Sequence, residues 1–273
     1  MTRRVIVIII CLLSFFQAKS QPLVSDVSKT LEDLFERILK ADDSGRISLN
    51  DSVRLIINNY VHSDSVMNHR FDNLRFLGQI DSPDGNIKII TWNIPLRTGE
   101  NRYYLHIIRK DKKTDRKTVY SLEGKNRETG PLTDKTYTSD DWYGALYYAI
   151  QPFKIKREKL YMLLGLDTDN LNLSRKIIEV ITFNEKDGLI FGRDCLLKEG
   201  KKKYREVIEY SADGMVSLRF NTRKLIVFDN IDSFTRGHEN TGESYGAGDS
   251  INGYRFKKDS WVFVSDIDIR SLK

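Results

Sequence analysis

Asp167-Thr168-Asp169-Asn170-Leu171-Asn172 crowds oxygen-bearing side chains into one short segment. Hard cations take carboxylate and amide oxygens, and low-affinity calcium sites serve extracellular proteins. Asp167, Asp169 and Asn172 are therefore read as a candidate calcium site. The EF-hand glycine and bidentate glutamate are missing, and a hairpin turn rich in Asp and Asn gives the same letters. The histidines, His62, His69, His106 and His238, show no metal spacing and no HExxH pattern. His106 falls in a predicted strand on the face of Tyr104 and Ile108. His62 ends a predicted helix, where an imidazole can cap carbonyls. All four are read as structural or solvent-facing. Beyond Cys11 the chain holds one cysteine, Cys195, with no histidine close in sequence to act as its base. It reads as a small buried hydrophobe rather than a nucleophile.

Asp140 and Asp141 precede Trp142 and Tyr143. An acidic rim beside aromatics suits a carbohydrate, so Asp141, Trp142 and Tyr143 are read as candidate ligand-facing residues. A turn leading into a strand explains the same residues. No nucleophile elbow, P-loop or dinucleotide fingerprint is present, so no cofactor is expected apart from calcium. Sequence alone pairs no two carboxylates at a separation suited to glycoside hydrolysis.

Elements that would position these residues follow from hydrophobic period. Val27, Leu31, Leu34, Phe35, Ile38 and Leu39 recur at helical spacing, opposite a charged face. Asp42-Asp43-Ser44-Gly45 is expected to end that helix. A second helix, capped by Asn50 or Asp51, carries Val53, Ile56, Ile57, Tyr60 and Val61. Neither helix is stable alone, so the pair must pack on something else. From about Leu74 the pattern turns to short apolar and β-branched runs separated by turn signals. Asp-Gly pairs at 84, 187 and 213 mark hairpins. About a dozen strands without intervening helices argue for antiparallel sheet. The expected class is α+β, mainly β: a helical hairpin over 21–72, then an antiparallel β domain over 73–273 built as a sandwich, curved sheet or partial barrel. Two polar stretches, 125–141 and 229–252, read as long loops, a common seat of function.

The N-terminus reads as an export signal. Arg3 and Arg4 precede the apolar run Val5–Phe16, and Ala18-Lys19-Ser20 supplies a cleavage site before Gln21. The run is too short to span a bilayer, which takes about 20 residues. The whole chain has 273 residues and a net charge of +6, of which the leader contributes three cations and no acid. The remainder is thus only mildly basic. Its lysine clusters, such as Lys201-Lys202-Lys203, read as hairpin tips, not as the continuous basic face that nucleic acid requires. The many tyrosines suit a half-buried pleated surface.

Ser82-Pro83-Asp84-Gly85, Thr91-Trp92-Asn93, Trp142-Tyr143-Gly144, Leu163-Leu164-Gly165, Lys176-Ile177-Ile178, Phe191-Gly192 and Phe228-Asp229 occur in that order. From about residue 74 onward the chain resembles a group of exported proteins of Bacteroidetes-type bacteria with no assigned activity. That resemblance implies a Gram-negative envelope and a periplasmic, surface or secreted location. It carries over no catalytic residue. The expected function is a non-enzymatic exported module that binds a protein or glycan partner or serves structurally. The alternative is a hydrolase acting on envelope polysaccharide or peptide.

Overall fold

The computed structural model describes residues 24–72, 74–125, 130–168, 173–184, 186, 188–230 and 251–268. Two helices come first, α1 (Val24–Lys40) and α2 (Asp43–Val61). The joint between them is shorter than the sequence suggests. Asp42 caps α2 rather than ending α1, its Oδ1 accepting the Gly45 N–H at 2.7 Å. The residues expected to cap a later helix lie inside α2, and Asn50 is buried.

Sixteen strands follow among the described residues, in three sheets. The first sheet is a meander of β1 (Gly78–Asp81), β2 (Ile87–Pro95), β3 (Asn101–Lys110) and β4 (Lys117–Lys125). The second runs β5 (Tyr137–Thr138), β9 (Leu189–Phe191), β8 (Leu173–Phe183), β7 (Glu158–Asp167) and β6 (Leu146–Ile155). β12 (Glu206–Ser211) joins it on β8. The third orders β11 (Lys201–Lys203), β10 (Leu196–Lys198), β16 (Ser260–Ile267), β15 (Ile251–Lys257), β14 (Leu225–Asp229) and β13 (Leu218–Thr222). Every pairing is antiparallel except β10 with β16.

Three apolar clusters stack these elements into layers. Leu31, Phe35, Val53 and Ile57 of the helices meet Ile90, Trp92 and Ile108 on one face of the first sheet. Ile89, Leu105 and Ile107 on its other face meet Leu163, Ile177 and Ile181 of the second sheet. Leu164, Ile178 and Val180 on the far face of the second sheet meet Leu196, Ile226 and Trp261 of the third. The order is helices, sheet, sheet, sheet. The second sheet is covered on both faces, which is why Met162, Leu163 and Leu164 run apolar without alternation. The helical hairpin shares its core with the first sheet, as its marginal stability requires.

This layering corrects one expected hairpin. Asp84-Gly85 does turn β1 into β2. Asp213-Gly214, however, carries the chain from β12 in the second sheet to β13 in the third. Both positions carry Asp-Gly, but Gly85 takes a φ of +68° and Gly214 has no positive φ, and only the first joins neighbouring strands of one sheet. Trp142–Ala145 also lies outside any strand, and β6 starts at Leu146.

Candidate functional site

Trp142 and Tyr143, expected to face a ligand, are only 3% exposed and belong to the core between the first and second sheets. Tyr143 Oη donates to Glu179 Oε2 at 2.8 Å, and Arg205 Nε donates to the same oxygen at 2.8 Å. Trp142 Nε1 donates to Tyr147 Oη at 3.3 Å. Glu179 and Arg205 are both fully buried. Arg205 also donates to the carbonyls of Leu132, Lys135 and Phe191 and lies over the Tyr137 ring at 4.6 Å. Burial pushes the Glu179 carboxyl up, against the pull of Arg205 and its hydrogen bonds. Burial likewise drives the Tyr143 phenol well above its ordinary value. Each donor and acceptor here finds a partner inside the protein, so the network specifies the core and offers no face to a ligand. The route to Trp142 is fixed by Gly144 at φ +92°, where a Cβ would stand 2.5 Å from Tyr103 Cδ2. Asp141 shapes the preceding turn, its Oδ1 accepting from the Thr138 N–H at 2.5 Å and the Thr138 hydroxyl at 3.0 Å.

Asp167, the first residue of the expected calcium site, is buried and engaged. Its Oδ1 accepts from Tyr103 Oη at 2.7 Å and its Oδ2 from Arg175 Nη1 at 3.1 Å. Arg175 is held in turn by Glu209 at 2.7 Å. Asp169 and Asn172 lie outside the described residues. Among the described residues, no three metal-ligating side chains converge. Cys195 is buried, and burial pushes its thiol up to about 12, as fits a packing residue.

The polar groups that do converge on open space are elsewhere. A cleft of about 390 Å³ lies between α2 and the β3–β4 edge of the first sheet. Its volume suits a small ligand. Asp51, Arg54 and Asn58 line one wall from α2; His106, Ser121 and Glu123 line the other. Trp92 and Tyr104 form the floor, stacked at 5.1 Å with 17° between their planes. Asn50 Oδ1 fixes the indole by accepting from Trp92 Nε1 at 2.8 Å. The strand period explains the far wall: His106 pairs with Ser121 and Tyr104 with Glu123, so alternate residues of β3 and β4 face α2 together.

The charged groups of this cleft pair with one another, one guanidinium between two carboxylates, and leave a single net negative charge. Arg54 lies 3.5 Å from both Asp51 and Glu123, and 5.4 Å above the Tyr104 ring. Ser121 Oγ sits 2.8 Å from His106 Nδ1. His106 stacks on Trp92 at 5.7 Å. Burial, then electrostatic repulsion from His62 and Arg54, pulls the His106 pKa down to about 4. The imidazole is therefore neutral near pH 7. In the sequence Asp51 reads only as a helix cap, and nothing in the local spacing of Arg54, Ser121 and Glu123 marks them. The one usable signal was the alternation of Tyr104 and His106 on one strand face. No family model, curated protein or solved structure matches this chain.

Proposed function

We propose that this chain is an exported, non-enzymatic binding module, and that the cleft between α2 and the first sheet takes an uncharged, hydroxyl-rich ligand such as a glycan segment. The observation that carries this reading is the cleft's lining: Arg54 is shared by Asp51 and Glu123, so its charges are paired apart from one residual negative charge, while Asn58, Ser121 and His106 offer hydrogen-bonding groups beside an aromatic floor. One residual negative charge disfavours an anion, and oriented polar groups discriminate hydroxyl patterns. Export rests on the leader-like residues 1–20, with the envelope of a Gram-negative cell as the compartment the family resemblance suggests.

Calorimetric titration of residues 21–273 with neutral oligosaccharides tests the reading. Binding that falls on Glu123→Gln and on Arg54→Ala supports it, and binding untouched by both defeats it. N-terminal sequencing of protein recovered from the producing cell tests export, with Gln21 expected first.

The 2.8 Å contact between Ser121 and His106 favours one second reading, a hydrolase with Ser121 as nucleophile. A base works best with a pKa near the working pH, and this imidazole is far below it. Among the described residues no carboxylate orients the ring. Turnover of a polysaccharide or peptide, lost on Ser121→Ala, would establish this second reading over the first.

A further inference from the structure

A second cleft, of about 400 Å³, opens where all three sheets meet. The β1–β2 turn supplies Pro83 and Asp84, and β6 supplies Pro152, Phe153 and Lys154. Arg223 and Lys224 come from the β13–β14 turn, and Phe256 from β15. The turns are held by one main-chain bond, Phe256 N–H donating to Lys224 O at 2.9 Å, and one main-chain to side-chain bond, Lys156 N–H donating to Asp259 Oδ1 at 3.3 Å. The back wall is rigid: Phe153, Phe256 and Trp261 pack mutually with centroids 5.3–5.7 Å apart.

Its charge is not cancelled. Among the described residues, the side chains of Lys154, Arg223 and Lys224 make no ion pair and no hydrogen bond. Asp84, the one acid lining the cleft, is already committed. It pairs with Lys159, and its oxygens accept from Ser82 Oγ at 2.6 Å, the Asn86 N–H at 3.1 Å and Tyr161 Oη at 3.3 Å. Burial opposes its charge, but these donors outweigh it and hold the carboxyl below its ordinary value. Asp84 thus stays ionised and neutralises Lys159, leaving the other three cations unanswered. These three cations are spread over residues 154–224 in sequence, so no local basic run announces them.

We propose that this cleft binds a phosphate ester. Lys154 and Lys224 would act as point charges, the Arg223 fork would engage two phosphate oxygens, and Phe256 and Pro152 would cover the organic body. The proposal stands apart from the glycan reading, because the two clefts share no residue. A soluble sugar phosphate and a lipid headgroup carry the same chemistry, and the experiment separates them.

Mature protein (residues 21–273) is titrated calorimetrically with glucose 6-phosphate, glucose and inorganic phosphate. In parallel it is sedimented with phosphatidylcholine vesicles containing or lacking phosphatidic acid. The triple variant Lys154→Gln/Arg223→Gln/Lys224→Gln alters only turn and strand-end side chains, and its fold is checked by circular dichroism and melting. We expect glucose 6-phosphate to bind where glucose does not, or vesicles to bind only with phosphatidic acid. Each lost charge-assisted contact is worth roughly tenfold or more in affinity, so the triple variant should lose detectable binding. Arg223→Lys keeps the charge without the fork and should weaken binding less than Arg223→Gln. Added salt should weaken it further. Equal binding by wild type and triple variant, or no binding to any phosphate ester in either format, overturns the proposal. If the triple variant unfolds, the Arg223→Lys and Arg223→Gln pair decides, and equal affinities for both overturn it.

Discussion

Two arginines in this molecule are each engaged by acidic and aromatic side chains, with opposite consequences. Arg205 is wholly buried against Glu179, under Tyr137 and Tyr143. Arg54 lies at the rim of an open cleft, about half exposed, between Asp51 and Glu123 and over Tyr104. The partners are alike and the solvent differs. Inside, an unpaired member has no water to turn to, so pairing becomes a condition of folding. At the rim, water substitutes for either partner, so the pairing contributes little to stability and its groups stay available to a ligand.

The comparison breaks most visibly at Arg205. Arg205→Ala should cost about 3–5 kcal/mol, because Glu179 loses its ion-pair partner in the core and must either stay charged unpaired or take up a proton. Urea denaturation measures it, and a loss under 1 kcal/mol would mean the interior is wetter than its geometry implies. Gly144→Ala comes next, at about 3 kcal/mol, from a strained φ and a Cβ driven into Tyr103. The same denaturation series should place it below Arg205→Ala.

The His106 ring sharpens the comparison through pH. Its folded pKa is depressed to about 4, so the folded state holds it neutral. Below pH 6.5 the unfolded chain takes up a proton that the folded chain refuses, and stability falls as pH drops toward 4. That loss should reach about 3 kcal/mol by pH 4. His106→Gln should flatten this part of the stability curve between pH 6.5 and 4, and an unchanged slope would show that the ring is not held neutral. The smallest effect belongs to Arg54→Ala, which should change stability by under about 1 kcal/mol while weakening ligand capture. A cost equal to that of Arg205→Ala would erase the distinction between rim and core.

The contrast also explains which residues could be read in advance. Trp142 and Tyr143 share a segment with Asp140 and Asp141, and adjacency suggested a common surface. The fold instead turns both rings inward, because Gly144 and Gly124 let the backbones of two segments touch, with a Cβ on Gly124 meeting Gly144 Cα at 2.6 Å. Arg54 and Glu123 are 69 positions apart, and Lys154 and Arg223 are equally separated, so neither site has a local signature. Asp213-Gly214 shows the same gap for topology. Its letters spell a hairpin, yet its two strands enter different sheets.

Hydrophobic period and turn signals determined that two helices precede a long antiparallel β region, because burial of one face dictates spacing residue by residue and short turns leave no room for crossover helices. The lack of a histidine near Cys195 in sequence marked it as a packing residue, and it is buried. The stacking of three sheets, the inward turn of Trp142 and Tyr143, and the position of both clefts were decided only by tertiary structure. Pairing partners and charge balance depend on which distant strands lie side by side, and that is a property of the whole chain's packing rather than of any window along it.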